Sequence, residues 1–595
     1  MTFLRAVLFA KGTGADASSY QPNRDESQWW NRRDALVRCV AAFLFGPGGE
    51  AKELVLLFED DWSRMHMTYE KNDARPTVPT EQTIVGLWKK AAQQKQQDES
   101  VREKGLSCRL YKQNTKHTAG ATIPMHLESK RDVLEQLQAT CSIEFLREKG
   151  LNSSSQVLLR KFNKQTLIEI SKDWNSRYAS VSQPTLEETL RPILKDLLQP
   201  ISNSIQTVIA ATLHESSHQE LPCWNNQCQI ATTDSPDKTQ VCIFLGAVRD
   251  MTMEEKKCLQ QTCQVVAIPQ VTVRLGPVPE FTSKILSVMA YHHAHKMLWP
   301  ALQTLLHFNN NQRNPLKRPI HAISNTTTLS NTHLHFVSIV SFPSTAVTID
   351  LSSRDRSLWC LVRTVVACLW RSRLAGPHEV GHLRNTLTVW FTDNTYLTLP
   401  QNELVTVLAE KHQAAPTEFQ ILQAIQDQLE NNKARTADAD TMVNSILSAS
   451  PPRFLLDINM APESLCLTNL FYNFSHDDDD AVNDDCGGTA VVLLAMQSAD
   501  ENCREVKALF YEAAQIKKIP VSECSFREIE CQDVEASTIT MLQHFCYQGL
   551  FFPAIQRHLN AISLKKEKKS ERKRRNQQRK RRKRIGSNDL IISQE

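Results

Sequence analysis

Glycines and carboxylates at the ends of apolar segments are the residues of this chain best placed for chemistry. Leu245 and Gly246 close the segment TQVCIFLGAVRD, and Leu275, Gly276 and Pro277 close VTVRLGP. A glycine at a strand end lets backbone N–H and C=O groups approach a flat ligand, such as an adenine and its ribose, where a side chain would hold it off. The alternative is an ordinary strand-end turn. Asp60 and Asp250 follow two such segments and can accept a proton from a bound substrate, although a surface carboxylate explains either one. In the run Tyr291, His292, His293 and His295, the imidazoles of His292 and His295 share a helix face at i, i+3. Two histidines without a third ligand fit partly exposed helix residues better than a metal site. The closest cysteine pairs, Cys223 with Cys228 and Cys258 with Cys263, lack partners at zinc-ligand spacing, so no metal is expected. No Walker loop, GxGxxG or Ser-His-Asp arrangement stands out.

The elements that would position these residues come in two sets. LRAVLF from Leu4 is answered by HFVSIV from His335, and LVRCVAAFLF at Leu36 by LVRTVVACLW at Leu361. The third segment is ELVLLFED, ending at Asp60 and followed by PTEQTI at Pro79, which is answered by TLTVWFTD, ending at Asp393 and followed by PTEFQI at Pro416. TQVCIFLGAVRD from Thr239 is answered by TAVVLLAMQSAD from Thr489, each followed by a helical stretch and then Ile-Pro at Ile268 and Ile519. Four segments recurring in the same order imply a tandem duplication. Strand and helix alternate within each copy, which predicts an α/β fold with a parallel sheet covered by helices. The copies are offset by about 332 residues early and about 250 late, so the first holds some 80 to 90 extra residues, between about 100 and 238. That stretch has a helical pattern, with Pro192 and Pro200 expected to break its last helix. The expected division is residues 1–305 for the first copy with a helical insertion at about 130–215, 306–330 as linker, 331–560 for the second copy and 561–595 as a basic, disordered tail.

A chain of 595 residues, 41% hydrophobic and 23% charged, has the composition of a soluble globular protein with two or more domains. The most apolar helical stretches carry Arg38 and Arg363, so no membrane span is expected. Leu4 to Phe9 is needed as a strand, which leaves no secretory signal, and the 16 scattered cysteines then read as reduced thiols in and near the cores. Charge is unevenly placed. Lys565 to Arg584 holds 14 basic and 2 acidic residues, a net +12, and the total of +4 leaves −8 for the rest. Such an arm fits a nuclear or nucleolar address, with the cytoplasm as second choice, and equally a phosphate-binding surface for nucleic acid.

FLGAVRDMTMEEKKCL followed by VRLGPVPEFTSKILSVMAYHHAHKML resembles the C-terminal half of the SPOUT-class methyltransferases, especially the archaeal enzymes that methylate a ring nitrogen of pseudouridine in tRNA. RRDALVRCVAAFLF and ELVLLFED are similar to the opening helix and strand of that family. The resemblance covers residues 4–135 and 238–305 and implies two tandem SPOUT-like (α/β knot) domains, forming an intramolecular pseudo-dimer. It also implies a trefoil-knotted C-terminal segment whose loops bind S-adenosyl-L-methionine through Leu245, Gly246, Leu275, Gly276, Pro277, Phe281, Ser283 and Ile285. Lys284 and Ile285 stand where the archaeal enzymes carry a His-Cys pair. In the second copy Ala495-Met496 replaces Leu-Gly, and the Leu-Gly-Pro position falls at Glu528 to Glu530, so that half is expected to have lost the cofactor. The implied activity is methyl transfer to a base nitrogen of tRNA or rRNA, with Asp60 or Asp250 as base. Arg32, Arg33, Arg160, Lys161, Arg574, Arg575, Arg581 and Arg582 are the expected RNA contacts. Two other functions fit: an inactive SPOUT relic acting as an RNA-binding assembly factor, and an interaction scaffold without nucleic acid.

Overall fold

The computed structural model describes all residues except 1, 12–13, 16–32, 49–50, 60–61, 71–78, 95–99, 104, 113–128, 142, 152–154, 179–184, 215–216, 218, 220, 222–237, 248–249, 276–281, 311–331, 349–355, 370–383, 401–416, 432–434, 437, 450, 460–464, 467–469, 472–487, 495–500, 526–532 and 593–595. The first half opens with β1 (Phe3–Ala10), α1 (Arg33–Leu44), β2 (Lys52–Phe58), β3 (Arg64–Tyr69), α2 (Glu81–Gln93), β4 (Val101–Glu103) and β5 (Leu106–Tyr111). A helical module follows: α3 (Lys130–Thr140), α4 (Ile143–Glu148), α5 (Ser155–Lys161) and α6 (Lys164–Tyr178). The half closes with α7 (Leu186–Leu197), β6 (Thr207–Leu213), β7 (Thr239–Ala247), α8 (Met253–Val265), β8 (Gln270–Val273), α9 (Thr282–Ala294) and α10 (Leu298–Asn310).

The second half runs β9 (Thr332–Ile339), α11 (Arg356–Leu369), β10 (Arg384–Trp390), β11 (Thr395–Pro400), α12 (Glu418–Glu430), β12 (Arg435–Thr436) and α13 (Ala439–Ala449). It continues with β13 (Phe454–Asn459), β14 (Leu465–Cys466), β15 (Gly488–Leu494), α14 (Glu501–Ile516), β16 (Val521–Ser525), α15 (Val534–Tyr547) and α16 (Phe551–Ile592). No helix among the described residues is long and apolar enough to cross a membrane.

The two sheets have the same plan. The first is ordered β4-β5-β3-β2-β1-β7-β6-β8 and the second β12-β11-β10-β9-β15-β13-β16-β14. Five strands of the first, β2-β1-β7-β6-β8, and six of the second, β10-β9-β15-β13-β16-β14, pair in parallel. The sheets are mixed, however, because β3 and β11 add an antiparallel edge. The alternating burial of RMHMTY in β3 is the signature of such an edge.

The helices also match. Lys296 and Gly549 both take left-handed φ, 58° and 70°, just past the ends of α9 and α15. In each case the following two amides close the helix in the same way: Lys296 and Met297 donate to His293 and His292, and Gly549 and Leu550 to Cys546 and Phe545. Pro-Thr-Glu opens both α2 and α12, with Thr80 and Thr417 as N-caps.

The structure corrects the sequence reading in four places. Phe9 pairs with Leu57 and Ile339 with Trp390, so β1 and β9 match one residue away from the expected register, and Leu4 corresponds to Leu334 rather than His335. The same slip makes Leu245 the counterpart of Leu494. A one-residue shift exchanges the faces of a strand, and burial agrees with the new register, since Val7, Phe9, Val337 and Ile339 all lie on the face away from the junction between the halves. Secondly, the insertion is the α3–α6 module with its own core around Phe145 and Trp174, whereas α7 and β6 belong to the repeat and match α13 and β13. Thirdly, Pro192 lies inside an unbroken α7, and Pro200 follows its end. Fourthly, the tail is helical to Ile592, because Lys, Arg, Glu and Gln are good helix formers and Glu571 pairs with Arg575 at i, i+4, 2.6 Å apart. The expected linker begins inside α10, and its residues 311–330 lie outside the described residues.

Helices cover both faces of each sheet. The outer faces pack on α7 and α8 in the first half and on α13 and α14 in the second. The inner faces, with α1, α9, α11 and α15, contribute to one continuous apolar core that crosses from one half to the other.

Candidate functional site

In the first sheet β1 and β7 are neighbours, with Phe9 opposite Gly246. After β1 the chain leads to β2 on one side, and after β7 it leads through α8 to β8 beyond β6 on the other. Connections that leave adjacent parallel strands in opposite directions open a crevice at the strands' carboxyl ends, which is where α/β sheets bind ligands. Gly246 is half-buried at this point, and its carbonyl accepts the Thr282 hydroxyl at 2.9 Å, tying the end of β7 to the start of α9. Leu245, its neighbour in β7, is buried, as is Leu275 after β8. Ser283 is buried on α9, and Ile285 packs, only partly buried, against the inner core to which Leu245 and Leu275 belong. Gly276, Pro277 and Phe281 lie outside the described residues, as does Asp60.

The nearest charges are compensated. Lys11, one residue past β1, is buried and forms ion pairs with Glu255 and, at 3.3 Å, with Glu59. Glu255 in turn completes the capping box of α8, accepting the Thr252 amide at 2.7 Å. Asp250 is exposed, its carboxylate 3.9 Å from Nε2 of His214. The crevice can therefore hold a ligand by backbone and apolar contact, with Asp250 available at its rim as a proton acceptor. Asp393, the counterpart of Asp60, holds a turn: it accepts the Ser344 amide at 2.9 Å, the Ser344 hydroxyl at 2.6 Å and the Thr395 amide at 3.1 Å.

The equivalent place in the second half is filled differently. Glu535 occupies the position of Thr282 and bonds Thr364 at 3.1 Å, next to a small pocket lined by Ile339, Ser341, Ser357 and Cys360. Burial, more than any neighbouring charge, pushes this carboxyl up to about 7. Ala495, Met496 and Glu528 to Glu530 lie outside the described residues.

Between the halves lies a polar cluster that the sequence reading missed. The backbone amide of Glu81 donates to the Glu418 carboxylate at 3.0 Å, and the amide of Glu418 donates to Glu81 at 3.0 Å. Each carboxylate thus caps the N-terminus of the other half's helix. Arg38, paired with Asp34 at 2.7 Å, and Arg363, 3.4 Å from Asp533, stand around them. Burial first, and then the Glu418 charge, pushes Glu81 up to about 8, and burial raises Glu418 as well. Farther along the junction the α9 and α15 helices cross, with His292 5.9 Å from His544 and Tyr291 6.3 Å from Phe545. His292, expected to be partly exposed, is fully buried, because α9 is enclosed by its own sheet, α1 and α15. Burial holds His292 well below its ordinary value, His295 at about 4 and His544 at about 3.

The expected RNA contacts divide. Arg33 is buried, 4% exposed, at the start of α1, and is removed from that set by its position in the core. Arg160 and Lys161 are exposed on α5 of the inserted module, and Arg574 and Arg575 are exposed on α16. Arg581 and Arg582 fall within α16 with their side chains outside the described residues, and Arg32 lies outside them altogether. The cysteines whose side chains are described are buried. No protein-family model and no curated protein matches this chain.

Proposed function

We propose that this protein is an S-adenosyl-L-methionine-dependent RNA methyltransferase of SPOUT-like (α/β knot) architecture, an intramolecular pseudo-dimer whose first half carries the working site. The observation that carries the reading is the half-exposed Gly246 at the carboxyl end of β7, opposite β1 where the sheet connections diverge, with its carbonyl fixed by Thr282. Reciprocal Glu81–Glu418 contacts support the pseudo-dimer. In this reading the chain after β7 is threaded as the knot, and Leu245, Gly246, Leu275, Gly276 and Pro277 hold the cofactor. The absence of a side chain at Gly246 suits the close approach of an adenosine. When bound, the cofactor supplies an electrophilic methyl group. The chain's own task is to orient a base nitrogen of tRNA or rRNA and to accept its proton at Asp250 or Asp60. The charge of the basic arm supports nucleic acid as the partner and a nuclear or nucleolar address, with the cytoplasm as second choice.

A non-catalytic RNA-binding assembly factor is the second reading, favoured by the capture of Lys11 in ion pairs and the exposed position of Asp250. Calorimetric titration with S-adenosyl-L-methionine tests the first. One saturable site per chain is expected, and no heat at millimolar cofactor overturns it.

A further inference from the structure

The last helix, α16, is 42 residues long and has two parts. Phe551, Phe552, Ala554, Ile555 and Leu559 are buried against the second half, and from Lys565 to Arg579 every residue is exposed. That exposed part contains no apolar residue, so it has no face with which to enter a lipid surface. Its charge is nonetheless sided. At 3.6 residues per turn, Lys565, Lys566, Lys568, Lys569, Arg572, Lys573, Arg575 and Arg579 fall within one half of the helix circumference, about 180°. Glu567 and Glu571 lie on the opposite half, with Arg574 as the sole cation there. Of the residues that anchor the helix, Phe551, Ala554 and Ile555 share the basic half, whereas Phe552 and Leu559 lie just beyond its edge, so the basic arc overlaps the flank of the folded body and extends to one side of it.

Resting on the reading of RNA as the partner, we infer that α16 is a rigid arm that grips base-paired RNA, bridging two phosphate rows and holding the duplex along the flank of the second half. A helix is about 10–12 Å across with its side chains, and cations spread over a half-cylinder point to both sides at once. A single strand offers one phosphate row and engages only part of that arc. A duplex offers two rows flanking a groove, and the A-form major groove brings them close together. The anchoring of α16 in the core fixes the direction of the arc, which a flexible tail of equal charge would not do.

The test measures binding of the full chain to an RNA stem-loop and to an unpaired strand of equal length over a range of salt. Each phosphate contact adds about 0.9 to the salt slope on a duplex and about 0.7 on a single strand, so full engagement of the eight cations contributes about 7 on the stem and half of them about 3 on the strand. Lys569→Gln with Lys573→Gln should lower the stem slope by about 1.8, whereas Arg574→Gln should leave it unchanged. Ser570→Pro with Gln577→Pro keeps every charge but breaks the helix, and should bring the two slopes together. Equal slopes for stem and strand in the unaltered protein, or a double-proline variant that keeps the stem preference, would overturn the arm while leaving RNA as the partner. Absence of binding to either RNA would remove both the arm and the RNA reading of the function.

Discussion

Replacing Glu418 by glutamine should flatten the dependence of the protein's stability on pH. The two carboxylates at the junction are buried, each accepting the other's backbone amide at 3.0 Å, and burial together with their mutual repulsion raises Glu81 to about 8 from an ordinary 4.5. A group with a raised folded pKa binds its proton more tightly in the native chain. Its contribution is complete below the unfolded value and drains away as pH rises through the folded one. The junction histidines run the other way: with folded values held at about 3 to 4 for His544 and His295, they cost stability as pH falls below about 6.5. Above that pH the carboxyl pair dominates. One proton's difference between native and unfolded chain is worth about 1.4 kcal/mol per pH unit, so wild type should lose roughly 3 kcal/mol between about pH 6 and about pH 8 through this pair. In Glu418→Gln the amide oxygen still accepts the Glu81 N–H and the repelling charge is gone, so the part of that loss owed to repulsion should vanish while the larger part, owed to the burial of Glu81, remains. Glu418→Ala removes the acceptor and should cost about 1–3 kcal/mol at every pH, since the Glu81 amide is left buried. Denaturant midpoints followed by tryptophan fluorescence measure both. A glutamine variant as pH-dependent as the wild type would refute the paired-carboxyl account.

Lys52, 1% exposed, donates to the carbonyls of Phe43, Gly46 and Pro47 at 2.6, 2.9 and 2.8 Å and caps the end of α1. Lys52→Met should cost about 3 kcal/mol in the denaturant midpoint, because three carbonyls lose a charged donor. Its counterpart Asn385 is uncharged and donates to the Cys368 carbonyl at 2.9 Å, which Gln543 also serves, so for this bond Asn385→Leu should cost about 1 kcal/mol. In the cofactor titration, Gly276→Val should abolish binding and Ile529→Val should leave it unchanged, since a branched side chain at the first position closes the proposed adenosine cradle.

The alternation of strands and helices, the four repeated segments and the Pro-Thr-Glu helix starts were all legible in the sequence. The register was not. FLRAVLFA in β1 is buried along almost its whole length, so it shows no alternation from which its two faces can be told apart. TVIAATL in β6 follows a helical module and is a short apolar run, which reads equally as helix or strand. The Schellman ends of α9 and α15 were hidden because one carries Lys296 where the other carries Gly549. Glu81 and Glu418 each look like ordinary helix-opening residues. Only the topology, which sets the two N-termini against each other, turns them into a buried pair. At the crevice, the glycine at the end of β7 was visible, but the ion pairs of Lys11 join β1 to the helix after β7 across 244 residues of sequence and could not be.

The most direct measurement is transfer of a labelled methyl group from S-adenosyl-L-methionine to tRNA and rRNA by the purified chain. Label should appear in a base of one RNA class and disappear with Gly276→Val. Saturable cofactor binding without any label in RNA would contradict the enzyme, and absence of both binding and label would leave the RNA-binding assembly factor as the account of this protein.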